Sequence, residues 1–146
     1  MINRFDGTEY DFLSNFYEAP VEFEGIIYRN SEAAYQAGKA IPSERIKFSN
    51  LSAADAKRLG RSIEMQPNWD RIKADYMKRV VHAKFTQNPK LAEMLLQTGD
   101  EELEEGNTWH DNFFGNCYCN DCITINGKNW LGKILMDERE YLRKQS

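Results

Sequence analysis

The sequence predicts an α+β fold in which helices dominate, with a short β-hairpin or small sheet near the N-terminus. Residues 21–24 alternate apolar and charged side chains, as in a half-buried strand, and Gly25 then suits a hairpin turn before the apolar residues 26–28. Residues 68–86 and 131–143 carry apolar side chains at helical spacing. The chain has 146 residues, enough for one core, so we expect a single domain over residues 1–146.

The remaining elements follow from local patterns. Residues 10–13 are predicted as a further strand, and Ser31 is predicted to cap a helix whose first turn contains Glu32. Asn88 and Pro89 together predict the start of a short helix that continues through residues 91–97 to Gly99. Two further short helices are predicted at residues 43–49 and 52–59.

Net charge and hydropathy argue against two classes of protein, those that coat nucleic acid and those that span a membrane. The net charge is -4 and the pI is about 5.3, which argues against coating long nucleic acid but permits one phosphorylated ligand. No apolar run approaches the roughly 20 residues of a membrane helix, and residues 1–7 lack the apolar stretch of a signal peptide. We expect a cytoplasmic protein with no membrane partner.

The stretch from Glu102 to Gly115 is the most concentrated polar segment and is predicted to be a structured loop. Glu105 and Asp111 are two carboxylates that Gly106 allows to approach each other. Such a pair suits glycosidic bond cleavage, in which one acid protonates the leaving group and the other stabilises positive charge. The alternative is that both acids cap and orient the loop.

One face of the helix after Ser31 is polar, because Glu32, Tyr35, Gln36 and Lys39 recur at helical spacing. The simplest interpretation is a solvated surface. The opposite face is rich in alanine and suited to close packing, so the polar face would line a site if both faces were covered.

Lys84 follows Met77, Val80 and Val81 at helical spacing, so its stem should run along apolar surface. A lysine in this position usually extends its ammonium into water. If it were buried instead, its pKa would fall and its neutral amine could attack a sugar carbon.

Three cysteines lie in the run Cys117-x-Cys119-x-x-Cys122, and His110 precedes them. Structural zinc typically takes four ligands in two spaced pairs, and this irregular run of three thiols lacks that pattern. We therefore expect free thiols and no metal, although a zinc-dependent interaction module stays an alternative.

Segments along nearly the whole chain, in order, resemble the NADAR family, also called the YbiA-like proteins. They are residues 12–17, 31–40, 60–61, 68–69, 77, 83–88, 95–99, 103–115 and 127–136. The resemblance implies a YbiA-like fold and an N-glycosidase without metal or redox cofactor, in which the cysteine run is a variable loop. Its implied substrates are phosphorylated ribosylamino-pyrimidine intermediates of riboflavin synthesis, or ADP-ribose on the exocyclic amine of guanine in DNA or RNA.

Both substrates join ribose C1′ to an exocyclic nitrogen, so a lysine could form a Schiff base with the opened sugar. The resemblance implies Lys84 as that amine, with Lys39 as the rival, Glu105 as general acid/base and Asp111 as a sugar-hydroxyl or charge partner. The ligand-binding candidates are Asn15, Glu32, Gln36, Arg61, Trp69, Trp109 and Asn129. Among these, Glu32 and Gln36 would bind ribose hydroxyls, Arg61 a phosphate, either tryptophan the base, and Asn15 and Asn129 polar ligand groups. The alternative from another class is a non-catalytic module that binds ADP-ribose or an NAD-like ligand.

Overall fold

The computed structural model describes residues 1–145, which form two compact units. The middle unit is Asn15–Pro89, and the terminal unit combines Met1–Ser14 with the chain from Lys90 onward. The predicted class, helix-dominated α+β with a small sheet, is confirmed. The single domain over residues 1–146 stays a prediction. No helix within residues 1–145 is both long and apolar enough to cross a membrane.

The middle unit begins with the predicted hairpin of β1 (Glu18–Phe23) and β2 (Ile26–Asn30), which pair antiparallel with Val21 opposite Tyr28. Glu24 and Gly25 both have positive φ angles, 51° and 87°, as the tightest hairpin turns require. Alternate β1 side chains are buried, so the period-two prediction is confirmed.

The helices of the middle unit surround α1 (Ser31–Lys39), which contacts both strands and the two helices α2 (Ala53–Gly60) and α3 (Trp69–Gln87). Asn30, not Ser31, is the N-cap of α1, because β2 keeps Asn30 extended and its side chain accepts a hydrogen bond from Ala33 N at 2.8 Å. A 3₁₀ helix (Pro42–Phe48) stands where a short helix was predicted.

The terminal unit contains α4 (Pro89–Gln97, from the last residue of the middle unit), α5 (Trp130–Lys144) and two parallel two-residue strands, β3 (Gly106–Asn107) and β4 (Asn116–Cys117). The strand predicted at residues 10–13 is wrong, because Asp11–Leu13 forms a 3₁₀ helix. Its backbone bonds are local, as where Ser14 N donates to Asp11 O at 2.9 Å.

Candidate functional site

The start of α1 brings three polar residues of the middle unit together. Asn15 is buried; its carbonyl accepts a hydrogen bond from Glu32 N at 3.1 Å, and its side-chain oxygen accepts one from Ser31 Oγ at 2.9 Å. Its amide nitrogen lies 3.4 Å from Met77 Sδ on α3. Asn15 therefore connects α1 to α3, whereas its predicted contact with a ligand stays a prediction.

The polar face of α1 is not a solvated surface. Glu32 is only 9% exposed and Tyr35 is buried, while Gln36 and Lys39 are half-buried. The Glu32 carboxylate accepts a hydrogen bond from Gln36 Nε2 at 2.8 Å. Because a buried carboxylate is costly without such a partner, the pair forms a fixed polar group inside the unit.

Gly60, the last residue of α2, allows this pair to form, and the sequence analysis gave it no role in the site. A Cβ atom at Gly60 would collide with the side-chain oxygen of Gln36. The absence of a side chain there therefore leaves room for the Gln36 amide beside α2. A glycine at a helix end appears in the sequence as an ordinary stop signal, so only the structure reveals this contact.

Lys84 is buried within the middle unit, with 1% of its surface exposed. The expectation that its ammonium extends into water is wrong, because aromatic side chains lie over it. Its Nζ atom lies 6.0 Å from the centroid of the Tyr17 ring and 5.3 Å from that of Phe85. Such ring faces favour the charged ammonium. The burial that the sequence analysis set as the condition for a reactive amine is observed, while the neutral amine stays a prediction.

The other candidates of the middle unit differ in exposure. Lys39 ends α1 and is half-buried, and Arg61 follows α2 with its side chain exposed. Trp69 is buried, with ring centroids 5.1 Å from Tyr35 and 5.5 Å from Tyr76. Burial raises the pKa of the Tyr76 phenol to about 12, as expected for a ring withdrawn from water.

In the terminal unit, the amide side chain of Asn129 holds the backbone of Glu105. Glu105 N donates to Asn129 Oδ1 at 3.0 Å, and Asn129 Nδ2 donates to Leu103 O at 3.0 Å. Asn129 takes a left-handed conformation, with φ 53°, immediately before α5. Its amide thus positions the loop, and its predicted ligand contact stays a prediction.

The side chain that organises this loop is Asn107, to which the sequence analysis gave no role. Its oxygen accepts hydrogen bonds from Trp109 N and Asp111 N, both at 3.2 Å, and its nitrogen donates to Glu105 O at 3.3 Å and Asp111 O at 2.9 Å. Asparagine beside glycine is typical of such turns, and that is the available signal in the sequence.

The two predicted loop residues nearest to Asn107 differ in role. The Asp111 carboxylate accepts hydrogen bonds from the backbone of Phe113 and Phe114, both at 3.0 Å, so it orients the loop. Its catalytic role stays a prediction. Trp109 is 48% exposed and therefore presents an indole surface for stacking.

Four potential metal ligands also meet in this unit, namely His110, Cys117, Cys119 and Cys122. Burial raises the pKa of the Cys117 thiol, but hydrogen bonds from its neighbours outweigh it and lower that pKa to about 7. For Cys122, burial and the neighbouring thiols together raise the pKa to about 11.

Comparison with known proteins identifies relatives over most of the chain. A NADAR domain model matches residues 4–143. N-glycosidase YbiA of Escherichia coli (strain K12) is 33% identical over 138 residues, covering 92% of this chain and 82% of the relative. A riboflavin biosynthesis protein of Vibrio vulnificus is 36% identical over 140 residues, and this chain spans only 36% of its length.

A solved structure agrees with these relatives. The NMR structure of E. coli YbiA superimposes with a TM-score of 0.82 and 31% identity, covering 99% of this chain and 86% of that one. The YbiA-like fold is confirmed, and so is the predicted enzyme class, an N-glycosidase. With the family model spanning nearly its full length, the chain belongs to the NADAR domain family.

Proposed function

We propose that the enzyme hydrolyses the bond between ribose C1′ and an exocyclic nitrogen of a phosphorylated ribosylamino-pyrimidine. The observation that carries this proposal is the burial of Lys84, at 1% exposure, in the unit that also contains the hydrogen-bonded Glu32–Gln36 pair. The riboflavin biosynthesis name of the Vibrio vulnificus relative supports the pyrimidine substrate class. The proposal includes a cytoplasmic location, since three free cysteines suit a reducing compartment.

The reaction uses the ease with which a glycosylamine opens to an imine. The Lys84 amine adds to C1′, and the exocyclic nitrogen leaves as the free amine of the pyrimidine, so one C–N bond forms while another breaks. Water then adds to the lysine imine, which releases the sugar phosphate as an aldehyde and returns Lys84 to its amine. The net change is one water consumed and no electron transferred.

The assignment of Lys84 rather than Lys39 rests on their surroundings. Lys84 lies against two aromatic rings with its Nζ withdrawn from solvent, whereas Lys39 is half-buried at the end of α1. Desolvation favours the neutral, nucleophilic form of an amine. Lys84 is therefore the proposed nucleophile.

The ligand contacts proposed for the middle unit follow from the polarity and exposure of its side chains. The Glu32–Gln36 pair offers a fixed acceptor and an amide to ribose hydroxyls, and the exposed Arg61 offers a fork for a phosphate. Glu105 remains the proposed general acid/base and Asp111 its charge partner. Glu105→Gln, which conserves shape, tests the acid through the pH profile of kcat.

Borohydride trapping tests the proposal directly. The enzyme is mixed with a ribosylamino-pyrimidine phosphate and sodium borohydride, and the adduct is located by peptide mass spectrometry. We expect a sugar phosphate reduced onto Lys84. We also expect Lys84→Arg to lose both adduct and turnover, while the matched variant Lys39→Arg keeps both.

Each other outcome contradicts a defined part of the proposal. An adduct on Lys39 overturns the choice of lysine, and turnover without any adduct overturns the Schiff base. Turnover of ADP-ribosylated guanosine in preference to the pyrimidine overturns the substrate class. Tight binding of ADP-ribose without turnover of either compound would indicate the non-catalytic module instead.

A further inference from the structure

We propose that the segment from His110 to Cys122 binds one structural zinc ion through the His110 imidazole and the thiolates of Cys117, Cys119 and Cys122. The four ligand atoms all lie within 4.8 Å of one another. Nitrogen and sulfur ligands in a set of four are the donors that Zn²⁺ takes in structural sites. This proposal departs from our sequence-based expectation of free thiols without a metal.

Three of the six distances between the ligand atoms are close to those of a tetrahedron around zinc. Bonds of about 2.3 Å to sulfur and about 2.0–2.1 Å to nitrogen place two sulfurs about 3.8 Å apart, and a sulfur and a nitrogen about 3.6 Å apart. His110 Nδ1 lies 3.4 Å from Cys119 Sγ and 3.5 Å from Cys122 Sγ. Cys117 Sγ and Cys119 Sγ are 3.3 Å apart. A central ion therefore requires shifts of only a few tenths of an ångström along these edges.

The same distances argue against a disulfide. The Sγ atoms of Cys117 and Cys119 stand well beyond the roughly 2.05 Å of an S–S bond. A disulfide would also leave one of the three thiols over. A metal, in contrast, uses all three together with the histidine.

The backbone holds the ligands in place. His110 has a positive φ of 69°, a conformation uncommon outside glycine that persists where the surroundings impose it. Cys117 N donates to Asn112 Oδ1 at 2.9 Å, and Cys122 N donates to Cys119 O at 3.1 Å. All ligands come from a short stretch of chain.

The ligand set indicates a structural ion rather than a catalytic one. Four protein ligands complete the coordination and leave no position for water or substrate. His110 directly precedes Asp111, and Cys117 belongs to β4, which pairs with β3 next to Glu105. The ion would therefore fix the loop that carries both predicted acids.

Metal analysis of the full chain, purified without chelator and without a histidine tag, tests the site. We expect about one zinc per chain by mass spectrometric metal analysis, and loss of that stoichiometry in Cys117→Ser. His110→Ala should raise the zinc dissociation constant at least about tenfold in a chelator competition, given that even indirect supporting partners contribute 10- to 100-fold. His82→Ala is the matched control, since the chain has 2 histidines, and it should bind zinc like the parent.

Cobalt substitution keeps the test valid if a cysteine variant fails to fold. In the parent protein, Co²⁺ should give intense tetrahedral d–d bands and thiolate charge-transfer bands, which disappear when zinc displaces the cobalt.

The proposal is overturned if reduced parent protein binds no stoichiometric zinc even after reconstitution. It is equally overturned if His110→Ala and the parent have the same affinity. Neither result alters the trapping test of Lys84, so the two proposals fail separately.

Discussion

Replacing Asn107 with alanine should destabilise the loop that carries Glu105. Asn107 is 4% exposed, and its side chain makes four hydrogen bonds to the backbone of Glu105, Trp109 and Asp111 at 2.9–3.3 Å. Alanine removes all four hydrogen bonds, so the four backbone groups must be hydrated or remain without a partner.

The magnitude follows from those bonds. Each contributes a net of about 0.5–1.5 kcal/mol, so four give about 2–6 kcal/mol. Trp109 is 48% exposed, so water can reach part of the loop, and we take the lower end, about 2–3 kcal/mol. For a chain of this size, about 3–4 °C of Tm per kcal/mol gives a fall of about 6–12 °C.

Urea unfolding followed by circular dichroism measures the change in the free energy of unfolding. The matched control is Asn126→Ala, at an exposed position of the same unit, which should stay within about 0.5 kcal/mol of the parent. At a temperature where the variant is fully folded, Asn107→Ala should also lower kcat, because the backbone carbonyl of Glu105 loses its hydrogen bond from the Asn107 side chain. A loss below about 0.5 kcal/mol would refute the view that this amide holds the loop.

Three further predictions concern Gly60, Gly115 and Tyr76. Gly60→Ala should displace the Gln36 amide and raise KM about 3- to 10-fold, the worth of one hydrogen bond; an unchanged KM would contradict the proposed ribose contact. Gly115→Ala should lower both Tm and kcat, since its Cβ would clash with the Glu105 backbone oxygen; parent-like kinetics would contradict that placement. The free energy of unfolding should fall from pH 10 towards pH 12, because the folded Tyr76 keeps its proton to about 12 while the unfolded phenol loses it near 10.0. Tyr76→Phe should reduce that fall in a pH series of urea unfolding curves, and part of the remainder belongs to Tyr28, whose pKa burial also raises to about 12. An unchanged slope would exclude the Tyr76 phenol as a cause.

The regular elements were predictable where a long periodic pattern existed. The helix predicted at residues 68–86 is α3, Trp69–Gln87, and the C-terminal helix also lies within one residue of its prediction at each end. Both have apolar faces too long to arise in a loop. The strand predicted at residues 10–13 failed because four residues carry too little pattern to compete with local 3₁₀ bonds.

The burial of individual polar residues was not predictable in the same way. Lys84 and Met77 are seven residues apart, so the sequence placed them on one helix face, yet it could not show that Tyr17 covers the amine. That contact comes from a segment distant along the chain. The role of Asn107 likewise depends on a loop closing around it.

The cysteine run shows why a spacing rule and a structure can disagree. The spacing rule for structural zinc looks for two pairs of ligands along the sequence, whereas a zinc ion requires only that four ligand atoms lie close together in space. Here the pairing of Asn107 with Cys117 in β3 and β4 closes the intervening chain into a loop that contains His110. Because this loop is closed, metal-ligand side chains that are irregularly spaced in the sequence become neighbours in space. The cluster is therefore a consequence of the same loop geometry that holds Glu105 in place.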